Sequence, residues 1–159
     1  MKTLIIYDTL YGSTKRIAEA IAGSFPAEER KLLSVAEAKQ SDLLGLDLLV
    51  FGSPTHGGRP KPSAQAFLDL ISSGALEGIK VATYDTRFSL VDQNFFLRLV
   101  MRAVGYAAPK IMKYLESKGG QRITPPEGFI VEAREGGLLS GEEERAADWG
   151  GKILNLFNR

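Results

Sequence analysis

Near the amino terminus, Thr9-Leu10-Tyr11-Gly12-Ser13-Thr14 gathers three small hydroxyl side chains, Thr9, Ser13 and Thr14, around one glycine. The segment follows an apolar run, Thr3-Leu4-Ile5-Ile6-Tyr7, and leads into a stretch with helical periodicity. Hydroxyls donate to phosphate oxygens, glycine lets the backbone come close, and the free amides of a helix start point the same way. The spacing therefore predicts an anion cradle over Thr9, Leu10, Tyr11, Gly12, Ser13 and Thr14. Lys15 and Arg16 fall in the first helical turn, where cations are mildly unfavourable. A bound dianion would remove that conflict. The plainer reading is an ordinary helix start with Lys15 paired to Glu19 one turn on.

Two further segments carry functional side chains. Gly52-Ser53-Pro54-Thr55-His56-Gly57-Gly58-Arg59-Pro60-Lys61-Pro62 turns the chain, and Gly57-Gly58 lowers the cost of rearranging its backbone. On its own it reads as a flexible loop before a proline-started helix, with His56, the single histidine, at the surface. Tyr84-Asp85-Thr86-Arg87-Phe88 offers a charged pair, and the plain partner of Arg87 is Asp85 or Asp92. Other chemistry is excluded. There is no cysteine, hence no disulfide scaffold, thiolate nucleophile or iron–sulfur ligation. One histidine rules out a histidine-rich metal site. The formal charge of +1 steers the chain toward neither nucleic acid nor acidic lipid. Neither G-x-x-x-x-G-K-[ST] nor a post-strand G-x-G-x-x-G occurs. The phosphate-accepting aspartate of a receiver domain would stand where this chain has Phe51-Gly52.

These segments need a scaffold. The chain has 159 residues, 44% of them apolar, which suits one domain over 1–159 with a sizeable core. Continuous apolar runs at 3–7, 46–51, 79–84 and 128–133 read as strands covered on both faces. The more polar stretch from Arg30 to Val35 reads as an edge strand. Helices are expected at 14–25, 62–73, 107–118 and 141–157 from apolar spacing such as Ile17/Ile21 and Ile111/Leu115. Ser34 with Glu37, and Ser140 with Glu143, have capping-box spacing. Strand–helix alternation predicts an α/β doubly wound sheet of five parallel strands in the order 2-1-3-4-5. Ligands then bind beyond the carboxyl ends of the strands, at loops 8–14, 52–61 and 85–92. No signal peptide is read at the start and no membrane span along the chain, so a cytoplasmic protein is expected.

With the loops in place, Thr9-x-Tyr11-Gly12-Ser13-Thr14 resembles the FMN-phosphate loop of the flavodoxin family. The likeness runs nearly the whole chain. Tyr84-Asp85-Thr86-Arg87, Pro126-Glu127-Gly128-Phe129 and the ending through Trp149 resemble one branch of flavodoxin-like proteins. The resemblance implies FMN as cofactor. It assigns Ser53, Pro54, Thr55, His56, Gly57 and Gly58 to one side of the flavin ring, with a peptide near Gly57-Gly58 able to turn toward N5. It assigns Asp85, Thr86 and Arg87 to the pyrimidine end, and Phe88 to stacking, with Tyr84 or Tyr11 as substitutes. The tryptophan–tyrosine sandwich common in the family has no evident counterpart, since Trp149 reads as core.

Asn94 to Tyr106 is strongly apolar and lengthens the connection after the fourth strand. Phe96, Leu99, Val100 and Val104 share one helical face, while Phe95 and Met101 lie partly off it. The segment reads either as a core extension or as a partner, subunit or quinone-side surface. Arg98 and Arg102 among aromatics also permit contact with a membrane interface. It resembles the insert of flavodoxin-like protoporphyrinogen dehydrogenases. The expected function is an FMN-binding electron carrier that meets redox partner proteins. The alternatives are an FMN-dependent quinone or porphyrinogen oxidoreductase, and a flavin-free interaction module. No side chain stands out as an acid–base catalyst. In loops 52–61 and 85–92, Arg59, Lys61 and Arg87 against Asp85 and Asp92 leave +1 where familiar flavodoxins are acidic. One charge ~8 Å away at an effective dielectric of ~20 is worth ~2 kcal/mol, on the order of 90 mV for one electron. The fully reduced couple is expected to lie higher than in acidic flavodoxins.

Overall fold

Continuous apolar runs form strands here because alternate residues feed two separate cores. A computed structural model of the chain describes residues 1–89, 93–133 and 137–159. Its first half holds β1 (Thr3–Tyr7), α1 (Ser13–Gly23), β2 (Arg30–Ser34), β3 (Leu48–Pro54) and α2 (Pro62–Asp69). The second half holds β4 (Lys80–Phe88), α3 (Phe95–Val104), α4 (Ala107–Ser117), β5 (Gln121–Arg122), β6 (Glu127–Ala133), β7 (Gly137–Leu138) and α5 (Glu142–Phe157). The strands join in one sheet, in the order β2-β1-β3-β4-β6-β7, with β5 also paired to β4.

The expected order 2-1-3-4-5 survives with two changes. The fifth position is split, β5 pairing the start of β4 and β6 its end. Pro125-Pro126 falls in the gap, and proline has no N–H to give a ladder. Beyond β6, β7 adds a short antiparallel edge.

Side chains alternate between the faces. Leu4, Ile6, Leu49, Phe51 and Val81 point to a core closed by Phe67 and Leu68 of α2 and Ile111, Met112 and Leu115 of α4. Ile5, Leu48, Val50, Tyr84 and Phe129 point to a second core, closed by Ile17 and Ile21 of α1 and Trp149 and Ile153 of α5. There Tyr84, Phe129 and Trp149 meet edge to face at 6.1–6.2 Å between ring centroids. The Tyr84 ring fills the space above Gly52, where an added Cβ would stand 2.0 Å from it. Tyr84 is thus core and no candidate for stacking on a ligand, and Trp149 is core as expected.

Neither capping box forms. Glu37 accepts from the backbone N–H and hydroxyl of Ser34, but only a turn follows. The start of α5 is capped by Gly141 in the left-handed region, and Glu143 pairs with Arg16 at 2.7 Å instead. The largest departure is α3. It buries no residue, so the core-extension reading of 94–106 fails. The sheet face it would need is already taken by α4, which directly follows it. Among the described residues no helix is long and apolar enough to cross a membrane.

Candidate functional site

The three loops expected from the topology do converge beyond the carboxyl ends of β1, β3 and β4. They enclose a cavity of about 420 Å³. Thr9, Leu10, Tyr11, Ser13 and Thr14 line it from the first loop, and Pro54, Thr55, His56 and Gly57 from the second. Thr86, Arg87 and Phe88 line it from the third, and Val131 of β6 from the side. Asp92 and the adjoining end of the third loop lie outside the described residues.

The first loop is built to leave donors free. The Asp8 carboxylate accepts from the Thr9 amide at 2.8 Å, and the Thr9 hydroxyl accepts from the Gly12 amide at 2.9 Å. Gly12 adopts φ +100°, a left-handed conformation that suits glycine, and caps α1 without any side-chain acceptor. The opening amides of α1 thus have no side-chain or intrahelical acceptor. The Ser13 hydroxyl is buried with no hydrogen-bond partner. A buried unpartnered hydroxyl is costly, and one beside a bare helix start suits an incoming oxyanion. Thr14, also buried, shares a 2.8 Å hydrogen bond with the Thr86 hydroxyl, which ties the first loop to the third. Lys15 and Arg16 do not serve this end. Lys15 sits 3.8 Å from Glu19, as the plainer reading had it, and Arg16 pairs with Glu143.

The second loop is a closed turn. His56 and Arg59 exchange backbone hydrogen bonds of 2.8 and 3.1 Å around Gly57 and Gly58. Both glycines have positive φ, +56° and +74°, as a tight type I′ connection requires. Thr55 is fixed twice: its amide donates to the Thr86 carbonyl, and its hydroxyl accepts from the Ala107 amide. The Lys110 ammonium donates to the carbonyls of Gly58 and Val104, at 2.6 and 2.8 Å, and so joins this turn to the end of α3.

The third loop rests on a buried carboxylate. Asp85 is wholly enclosed and accepts from the Arg87 guanidinium through two nitrogens, and from the Ala108 amide at 2.8 Å. Burial pushes the Asp85 carboxyl up from its ordinary range, against the hydrogen bond and charge of Arg87. The guanidinium also lies 3.7 Å from the centre of the Tyr106 ring. Asp85 therefore holds Arg87 in place and stands behind the cavity lining. Three more expected residues stand behind the lining. Gly12 shapes the turn. Ser53 is buried, accepting from the Lys61 amide and donating to the Pro54 carbonyl. Gly58 packs against Val104. Val131 was missed, although β6 pairs it with Phe88 and the expected strand order places those strands side by side.

Pairing also changes the charge at the rim. Arg87 is neutralised by Asp85, and Lys61 by Asp8 at 3.1 Å, where Ser63 donates to the same carboxylate. Arg59 remains exposed. For aromatic contact the cavity has Phe88, half-buried, and Tyr11, which is 56% exposed.

Comparison with known proteins agrees with this geometry. A family model described as a flavodoxin domain matches residues 4–87, over half the chain. A flavodoxin of Aquifex aeolicus (strain VF5) is 41% identical over 71 residues, 43% of this chain. The match spans only 38% of that relative's length. Among solved structures, an archaeal flavodoxin superposes with a TM-score of 0.76 over the whole of both chains at 18% identity. Oxidised Flavodoxin 2 from Bacillus cereus gives 0.73 over 98% of this chain and 99% of its own, at 23% identity. These two establish likeness of fold, and the family match adds likeness of sequence through all three strands that carry the loops. The chain belongs to the flavodoxin family, whose members bind FMN.

Proposed function

We propose that the protein, as one flavodoxin-like unit over 1–159, is a cytoplasmic electron carrier that holds FMN and exchanges electrons with redox partner proteins. The observation that carries this reading is the bare start of α1 with the unpartnered Ser13 hydroxyl beside it. A phosphate dianion would complete hydrogen bonds there and meet the positive end of the helix. FMN, when bound, supplies the one- and two-electron chemistry. The chain's own work is to bind and shield. Ser13, Thr14 and the opening amides of α1 would hold the phosphate. The turn at 56–59 would cover one side of the ring. Phe88 and Tyr11 offer aromatic contact, and Arg87, held by Asp85, places donors at the far end. The absence of cysteine suits a reducing compartment.

The rim, with Arg87 and Lys61 paired and Arg59 exposed, supports a fully reduced couple above that of acidic flavodoxins, because less negative charge opposes an added electron. A second reading, reduction of a small quinone-like acceptor, is favoured by Leu10 and Tyr11, 49% and 56% exposed at the cavity mouth. A flat aromatic acceptor could lie against them. Turnover of a quinone at the expense of a nicotinamide donor would favour this reading over pure carriage.

Titration of purified protein with FMN, followed by the visible spectrum and flavin fluorescence, tests the proposal. Tight binding is expected, weakened about tenfold or more by Thr14→Ala through loss of a charge-assisted hydrogen bond. Gly12→Val should weaken it as well, since valine resists positive φ. A colourless protein indifferent to excess FMN would overturn the reading, as would unchanged affinity in both variants.

A further inference from the structure

The helix α3 is built the wrong way round for a protein interior. Six of its large apolar residues, Phe95, Phe96, Leu97, Leu99, Val100 and Val104, are exposed, Phe95 by 82% and Phe96 by 73%. Arg98 and Met101 instead are the half-buried positions. At 100° per residue, Arg98 and Arg102 occupy one narrow sector and apolar side chains the rest. The helix is nonetheless well formed. Asn94 caps it by accepting from the Leu97 amide at 2.8 Å, and Gly105 closes it by donating to the Met101 carbonyl. From residue 93 to 115 the chain carries Arg98, Arg102, Lys110 and Lys113 and no acidic residue.

We propose that α3 docks the protein on an anionic bilayer surface. This goes beyond the redox reading and stands independently of it. Three features favour a lipid surface over other occupants. The charge carried by residues 93–115 is positive, complementary to anionic headgroups. An amphipathic helix with a broad apolar face and a narrow arginine sector lies readily in the interface plane, the arginine heads rising to the headgroups. The apolar face is also convex and short. Ten residues make a helix ~15 Å long, and its exposed apolar side chains point in too many directions to face one partner together, so they fall short of the about 800 Å² per partner in a stable protein complex. A second copy would gain too little area and would set arginines against arginines. A protein partner would need a groove shaped to Phe95 and Phe96, whereas acyl chains conform to them. Through Lys110, the docked helix would hold the turn at 56–59, and with it the cavity, close to the interface.

Flotation of the full chain with vesicles is the test. Binding is expected to vesicles containing phosphatidylglycerol, to be weak on phosphatidylcholine alone, and to fall with added salt. Replacing Phe95→Asp and Phe96→Asp together should reduce binding about tenfold or more, with thermal unfolding and FMN affinity unchanged. Arg98→Glu with Arg102→Glu should cost about fivefold or more on anionic vesicles and little on neutral ones. The proposal is overturned if the wild-type chain ignores anionic vesicles at low salt, or if the phenylalanine replacements leave binding intact. It is also overturned if sedimentation reveals a dimer that those replacements dissociate while vesicles go unbound, which assigns the face to a second copy. Retention on polyglutamate without vesicle binding would assign it to an acidic protein and overturn it too.

Discussion

The two ends of the cavity are made differently. The end at the start of α1, the proposed phosphate end, grows directly out of the core: Ser13 and Thr14 are buried, and Asp8 is locked by Lys61 and Ser63. The other end is carried on an exposed turn and on the last residues of β4, fastened from behind by two hydrogen-bonding hubs, Lys110 and Asp85. Grip is therefore entrusted to packed structure, and contact with the outside to structure that packing barely constrains. Elements on the surface open more readily than elements in the core. A carrier that must hold its cofactor while meeting partners benefits from that division.

The comparison breaks most severely at Arg87. Arg87→Ala strands the Asp85 carboxylate inside the protein, and removal of one member of a buried pair costs about 3–5 kcal/mol. Urea unfolding at pH 7 should register that loss, and a smaller one at pH 4, where the carboxyl can take up a proton. At the phosphate end the effect falls on ligand and not on fold. Ser13→Ala removes an unsatisfied hydroxyl, so the apoprotein should keep or slightly gain stability while FMN binds about tenfold more weakly. Riboflavin, lacking the phosphate, should be indifferent to Ser13→Ala in the same fluorescence assay.

A smaller effect sharpens the picture of Asp85. Its folded carboxyl titrates above its unfolded value of ~3.9, so the folded state binds the proton more tightly. The resulting stability is full below pH ~4 and disappears as pH rises through the folded value. Asp85→Asn should abolish this decline, so that stability measured from pH 4 to 7 falls less steeply than in the wild type. The smallest effect belongs to α3. Phe96→Ser should shift stability by no more than about 0.5 kcal/mol, whereas Leu115→Ala in the neighbouring helix should cost about 2–5 kcal/mol.

Most of the scaffold was legible because two-sided burial leaves a strong mark: β1, β3 and β4 read as largely apolar runs without polar alternation, and each forms. The three loops followed from strand order, and most of the residues expected in them line the cavity. What stayed hidden depended on three-dimensional pairing. Nothing in Ser34-x-x-Glu37 says that a turn, not a helix, follows. The tie of Lys110 to the turn at 56–59 spans 52 residues in sequence. Asp85 has the spacing of a ligand contact and the surroundings of a support, and only its wholly enclosed position tells the two apart. The apolar periodicity of 95–104 was correct as helix but silent on direction, because a core face and a docking face have the same composition.

The space over Gly52 has an evolutionary and engineering corollary. Positions 52 and 84 sit on paired strands and share one volume. Any change that gives the first a side chain must shrink the second, and the edge-to-face cluster with Phe129 and Trp149 would then lose one of its three members. An aspartate installed at the end of β3, to turn this scaffold toward phosphate acceptance, would thus have to evict a tyrosine before it could meet a phosphate.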